Sequence, residues 1–199
     1  MSHPAAVLFA VALATALFLK PGPRTRIIFF SALLGLLLAL ITASPVRLVG
    51  DGGEYVVMAN NLAHFARPSL TPEQLKNARA IVPGNMGAIL EKPWLQGNDR
   101  RQDFPHFWLY SVLAAPFVRA AQLLSINPLT GFTALNMALL LGLATLLFVR
   151  ASPGATLLVV AGPALWWIDK AHTEVLTTVA IATSLVLLRT HPWWSIAAA

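Results

Sequence analysis

Apolar runs and short polar breaks set the rhythm of the chain. The runs cover residues 5–19, 27–43, 107–124, 132–149, 156–168 and 175–188. Residues 5–19 end at Lys20 and extend about 22 Å as a helix, against a hydrocarbon core of about 30 Å. Lys20 can snorkel and the bilayer can thin, so the run reads as a short span. Residues 27–43 read as a second. Lys20, Arg24 and Arg26 between them place that loop on the cytoplasmic side by the positive-inside rule. The long polar segment 44–105 then emerges outside. Within it Tyr55, Met58, Leu62 and Phe65 recur at helical spacing and predict an amphipathic helix over about 52–66. Arg67-Pro68 ends it, a second short helix is predicted over 72–81, Pro83-Gly84-Asn85 breaks the chain, and 91–103 reads as ordered loop. A connection this long in a compact chain is usually functional.

Residues 107–124 carry Pro116 and Arg119, which suit a helix lying on the membrane surface better than a span. Parity agrees. With 107–124 outside, Arg150 and Arg189 fall inside with Lys20, Arg24 and Arg26, and the polar knot 169–174 falls outside with Asp51. Trp193-Trp194 suits an interface. The end in Ala197-Ala198-Ala199 reads as the start of another helix, so an N-terminal fragment is expected. The predicted fold is all-α and polytopic, with about five transmembrane helices and a large helical outer loop after the second. Its expected parts are two N-terminal spans in 1–43, an extracytoplasmic loop in 44–105, a juxtamembrane helix in 106–124, and further spans in 125–199.

Composition strengthens the membrane reading. The chain of 199 residues is 57% hydrophobic and 11% charged, where soluble domains are about 45–50% apolar and about 25% charged. The first run lacks the basic flank and the cleavage site of a signal peptide, so it is expected to be retained. A net charge of +6 has no basic face to go with it, which argues against nucleic acid and for anionic lipid. There is no cysteine, which excludes disulfide and thiolate chemistry.

Candidate chemistry falls into separate stretches. Gly50-Asp51-Gly52-Gly53-Glu54-Tyr55 has the form of a capping box, with Asp51 as N-cap and Glu54 three residues on. Alternatively Asp51 is a general base whose pKa is raised by partial desolvation. His106, among Phe104, Phe107, Trp108 and Tyr110, is either part of an interfacial aromatic belt or a phosphate or sugar contact with Trp108 as stacking platform. Asp169-Lys170-Ala171-His172-Thr173-Glu174 either caps the last span or supplies a second carboxylate with a phosphate-binding cation. Asp169, His172 and Glu174 also suit a divalent metal, with no recognised metal spacing among them. Lys92, Arg100 and Arg101 are loop charges that could hold a lipid phosphate. No P-loop, GxGxxG or GxSxG is present. The placement of Asp51 and 169–174 on one side predicts that the two clusters form one site.

On these residues the chain resembles the GT-C integral membrane glycosyltransferases, which include the protein O-mannosyltransferases and aminoarabinose lipid A transferases. The resemblance rests on Asp51-Gly-Gly-Glu54-Tyr55 with Met58-Ala59, on His106–Tyr110 with Leu113–Phe117, and on Thr173–Leu176, in that order. It implies a polyprenyl-phosphate-linked sugar donor, an inverting transfer, and a site at the outer face of a bacterial inner membrane. It maps the catalytic base onto Asp51. On that reading Glu54 orients Asp51 or the substrate, and Tyr55 is a substrate contact. His106, Lys170 and His172 would then steady the leaving phosphate, with Glu174 as the second acid. The competing expectation is a non-catalytic polytopic protein, a transporter half or an assembly subunit. Its ionisable groups would sit near mid-membrane, whereas these acids sit at helix ends beside water.

Overall fold

The computed structural model describes residues 46–82, 84–90, 95–97, 99–151 and 163–188, with isolated positions 22, 24, 28, 31, 32, 35, 155 and 156. The expected span at 5–19, most of that at 27–43, positions 157–162, Lys92, Arg189 and Trp193-Trp194 lie outside the described residues. The described chain is mostly helical, as expected of an all-α protein. It divides into two compact units. One comprises Val46–Leu135 with Asp169–Thr173 and carries the candidate site. The other takes its described residues mainly from Asn136–Ile168 and the helix that follows Thr173.

In the first unit, helix α1 (Gly52–Ala63) buries Tyr55, Val56, Val57, Met58, Ala59, Asn61 and Ala63. A helix buried on so many sides is a core element rather than an amphipathic surface one. It is shorter than the expected 52–66, and the reason is local. Phe65 has φ 57°, Ala66 N donates to Asn61 O at 2.9 Å and Phe65 N to Leu62 O at 3.0 Å. That is a Schellman ending with phenylalanine where glycine is usual. Phe65, expected on the buried stripe, is instead fully exposed.

The predicted helix 72–81 is two short ones, α2 (Pro72–Lys76) and α3 (Ala78–Ile81). Thr71 Oγ1 accepts from Gln74 N at 3.1 Å and Gln74 Oε1 from Thr71 N at 3.0 Å, a complete capping box with Pro72 at the first turn. Helix α4 (Asn85–Leu90) follows. A β-carbon on Gly53 would lie 3.3–3.4 Å from Met86, Leu90 and Val82, so this glycine lets α1 sit close against the α3–α4 region. The expected loop 91–103 contains a small antiparallel pair, β1 (Leu95–Gln96) and β2 (Gln102–Asp103). Leu70 extends it by pairing with Gln102.

Helix α5 (Leu109–Leu123) is the main partner of α1. Its inner face is Tyr110, Ala114, Val118 and Ala121, at spacings of four and three. The alanines allow close approach, and Ser111 Oγ donates to the Tyr55 carbonyl at 3.1 Å. Pro116 lies inside the helix on its exposed side and has no N–H to donate to the Val112 carbonyl, so one helical bond is missing there. Tyr110, Phe132 and Val57 are almost completely buried, each stabilising the fold by roughly 1.5–3 kcal/mol.

Helix α6 (Thr130–Arg150) begins in this unit. A β-carbon on Gly131 would lie 2.6 Å from Val118 N. Among the described residues α6 is the one helix long and apolar enough to cross a membrane, with 21 residues, about 32 Å of helix. The second unit contains the rest of α6, then α7 (Pro163–Trp166) and α8 (Glu174–Leu188). Asn136 Nδ2 donates to the Ile168 carbonyl at 3.1 Å, satisfying backbone just beyond α7.

Candidate functional site

The site is built at the N-terminal end of α1. Gly50 turns the chain with φ 51°, and Gly52 N donates to Val49 O at 2.9 Å. Asp51 then takes φ −84° and ψ 11°, away from the extended conformation a side-chain cap requires. No side-chain capping bond forms. The capping-box reading of Asp51 and Glu54 is therefore corrected: the Asp51 carbonyl, not its carboxylate, receives Glu54 N at 2.9 Å. Both carboxylates are turned toward His106.

His106 lies just before α5 and bridges the two acids. Its Nδ1 is 2.8 Å from Glu54 Oε2 and its Nε2 is 3.1 Å from Asp51 Oδ2. Glu54 is the more sheltered acid, its side chain 12% exposed, against 40% for Asp51. The Glu54 hydrogen bond holds the imidazole pKa above its usual value. Desolvation opposes that, and the charges of Glu54 and Asp51 add to it. A protonated ring donates from both nitrogens, one to each carboxylate. One ligand atom from each of Asp51, Glu54 and His106 lies within 4.8 Å of the others. These three side chains therefore form a possible divalent-metal ligand set, a different one from the Asp169, His172 and Glu174 expected from the sequence.

The late polar knot comes to the same place. Arg47 holds it: Arg47 N donates to the Asp169 carbonyl at 2.8 Å, and Arg47 and Lys170 pair as a parallel bridge. The Arg47 guanidinium meets the Asp169 carboxylate with Nε–Oδ2 2.7 Å and Nη2–Oδ1 2.9 Å, a bidentate geometry. A β-carbon on Gly52 would lie 2.8 Å from the Ala171 carbonyl, and one on Gly50 3.2 Å from His172 Nε2. The Tyr55 ring is the meeting point, 6.0 Å from His106, 6.1 Å from His172 and 5.4 Å from Tyr110, each edge-on. Tyr55, named from sequence as a substrate contact, is buried and acts as the wall on which both imidazoles rest.

The remaining candidates separate. Lys170 is 3% exposed, its ammonium 3.6 Å from Asp169 Oδ1. Burial pushes its pKa down, the Asp169 charge opposes this, and the Arg47 charge adds to it. The amine expected to meet a phosphate therefore lies inside the fold beside Asp169. Arg101 donates from Nε to Ser69 Oγ at 2.7 Å and from Nη2 to the Ser69 carbonyl at 2.8 Å, so it ties the β1–β2 hairpin down. Arg100 occupies a left-handed turn position, φ 59°, on that hairpin. Glu174 opens α8 in the other unit. Arg47 is the site residue that the sequence reading missed. Its one signal was an isolated cation four residues before Asp51. Comparison of the chain with known protein families, with characterised proteins and with solved structures finds no match.

Proposed function

We propose that this chain is a module of a polytopic membrane glycosyltransferase of GT-C type that uses a polyprenyl-phosphate sugar. Asp51 takes the proton of the acceptor hydroxyl as that oxygen bonds to the anomeric carbon. The bond from that carbon to the phosphate oxygen breaks, and the lipid phosphate leaves with the electron pair. Glu54 and His106 hold the Asp51 carboxylate in place, and His172 offers an imidazole toward the leaving phosphate. The observation carrying this reading is that Asp51, half-exposed and without a capping bond, faces His106 while the 169–173 knot closes against the same turn. On this reading the site faces the exterior or periplasm and the membrane supplies both lipid donor and lipid surroundings.

The test uses the protein reconstituted in lipid vesicles with a polyprenyl-phosphate hexose. The expected result is release of polyprenyl phosphate that falls roughly 100-fold or more in Asp51→Asn, the usual scale of a lost general base. Turnover unchanged by the substitution would remove Asp51 from the chemistry.

The 4.8 Å spacing of Asp51, Glu54 and His106 favours a second reading of the same centre, as a divalent-cation site. The two readings differ at His106. An imidazolium with both nitrogens donating has no lone pair for a metal, whereas a ligating imidazole has lost a proton. A bound cation would orient the acceptor oxygen and lower its pKa. Manganese titration followed by electron paramagnetic resonance separates them: stoichiometric binding lost in His106→Gln supports the metal centre, and no binding supports the proton-only centre.

A further inference from the structure

A cavity of about 420 Å³ lies inside the 46–135 unit, apart from the Asp51 centre. Val56 and Asn60 of α1, Val118 of α5 and Phe132 of α6 form its walls, and the α5–α6 connection adds Asn127 and Leu129. Ala80 and Pro128, both exposed, stand at its rim. Asn60 is nine residues along the chain from Asp51, on the order of 14 Å of helix. The volume is that of a small-molecule site.

The polar groups at this cavity are oriented by the protein itself. Asn60 Oδ1 accepts from Gln122 Nε2 at 3.0 Å, and Asn127 Oδ1 accepts from the Leu129 N–H at 3.0 Å. Each carboxamide therefore has its oxygen engaged, while neither Nδ2 group donates to a partner among the described residues. Gln122 follows Val118 by one turn, on the same side of α5. Its Oε1 is buried and accepts no hydrogen bond among the described residues. An amide oxygen adjoins its own nitrogen, so this acceptor stands at the Asn60 wall. A buried acceptor without a donor is costly, and native structures rarely leave one. No lining residue is charged, so nothing there offsets the desolvation of an ion. Water alone fits poorly as well. Much of the wall is hydrocarbon from Val56, Val118, Leu129 and Phe132, and a buried water needs about two to four polar partners.

We propose that this cavity binds a neutral molecule that joins an apolar body to a carboxamide. The ligand's carbonyl oxygen accepts from the Nδ2 groups of Asn60 and Asn127. Its N–H donates to Gln122 Oε1, and its apolar part packs against Phe132 and the two valines. An ester or ketone lacks the donor that Gln122 requires, and a carboxylate would find no cation. A lone hydroxyl would have to serve all three groups from one atom. The inference uses no residue of the Asp51 centre and holds whether or not α6 crosses a membrane.

The test follows the side-chain N–H2 resonances of the full-length, detergent-solubilised protein labelled with [15N]asparagine. Three probes share one ring and differ at one group: N-methylbenzamide has carbonyl and N–H, methyl benzoate lacks the N–H, and benzoate is an anion. N-methylbenzamide is expected to shift the Asn60 and Asn127 resonances saturably and to leave Asn85, exposed at the start of α4, unmoved. Methyl benzoate is expected to bind about tenfold more weakly, the scale of one lost hydrogen bond, and benzoate more weakly still. Ala80→Phe fills the exposed rim without touching a hydrogen bond, and should abolish the saturable shifts at both asparagines. Gln122→Met should remove the preference for amide over ester. The absence of any shift leaves the cavity to water and overturns the proposal. It is also overturned by a non-saturating drift shared with Asn85, by equal binding of the three probes, by shifts undiminished in Ala80→Phe, or by an amide preference that survives Gln122→Met.

Discussion

His106 is where local sequence and long-range structure meet. Asp51 and Glu54 are three residues apart and could have closed a capping box on their own backbone. They do not, because a partner 52 residues from Glu54 offers a charge-assisted bond to each. A pH dependence follows from the direction of the shift. The imidazole pKa is raised in the folded state by Glu54, so its contribution to stability is complete below the unfolded value of about 6.5. It is lost as pH rises through the higher folded value. Thermal unfolding of the detergent-solubilised protein is therefore expected to move to lower temperature as pH climbs above about 6.5. In His106→Gln that portion of the pH dependence should vanish. An unchanged profile in the variant would mean that another group titrates. Each of the three residues was visible in the sequence as a polar point in greasy surroundings. Their mutual contact was not, because nothing in the spacing of Asp51 and Glu54 names a histidine beyond a hairpin.

The elements explain why the late knot reaches the site. Residues 169–173 are held by backbone pairing to Arg47, by the guanidinium–carboxylate clamp, and by the absence of a side chain at Gly52. Replacing Gly52 with alanine puts a β-carbon 2.8 Å from the Ala171 carbonyl. Backbone must move, at a cost of roughly 1–3 kcal/mol. Arg47→Met leaves the buried Asp169 carboxylate without its bidentate partner, and the expected loss is again roughly 1–3 kcal/mol, since the arginine is half exposed. Both variants should speed amide hydrogen exchange at 169–173 while leaving α5 protected; slow exchange there would show that the strap holds by other contacts. Helix ends tell the opposite story. Ser125, φ 56°, closes α5 as Phe65 closes α1, with Ser125 N donating to Gln122 O at 3.1 Å and Ile126 N to Ala121 O at 3.0 Å. Ser125→Gly relieves the left-handed strain and is expected to stabilise by about 1 kcal/mol, read as a raised unfolding midpoint. These caps were hidden from sequence reading because serine and phenylalanine carry no left-handed signal. The Thr71–Gln74 box does carry a recognisable pattern, at a place where only a short helix was expected.

At the scale of the whole molecule, the helices that apolar periodicity predicted exist where the described residues cover them, because burying an apolar stripe decides helix position within a few residues. The β1–β2 hairpin was not legible. Its two-residue strands are too short to show alternation. The joining of residues 47–55 to 169–173 was anticipated by charge parity alone, an argument about sides of a membrane rather than about contacts. That leaves the crossing itself to be tested, and α6 decides it. The helix has 21 residues, apolar enough throughout to cross a membrane, and its 32 Å or so matches the hydrocarbon thickness. If it crosses, its two flanks meet opposite solutions. Glu73, in the unit at its N-terminal flank, and Ala151, at its C-terminal end, are both exposed. In sealed vesicles with the 46–135 unit facing out, a membrane-impermeant maleimide is expected to label Glu73→Cys at once and Ala151→Cys only after the vesicles are permeabilised. Equal labelling of both in intact vesicles would mean that α6 is not a span. Asp51 would then be a carboxylate at the end of a buried helix, with no membrane boundary to make it a base toward a lipid-linked sugar.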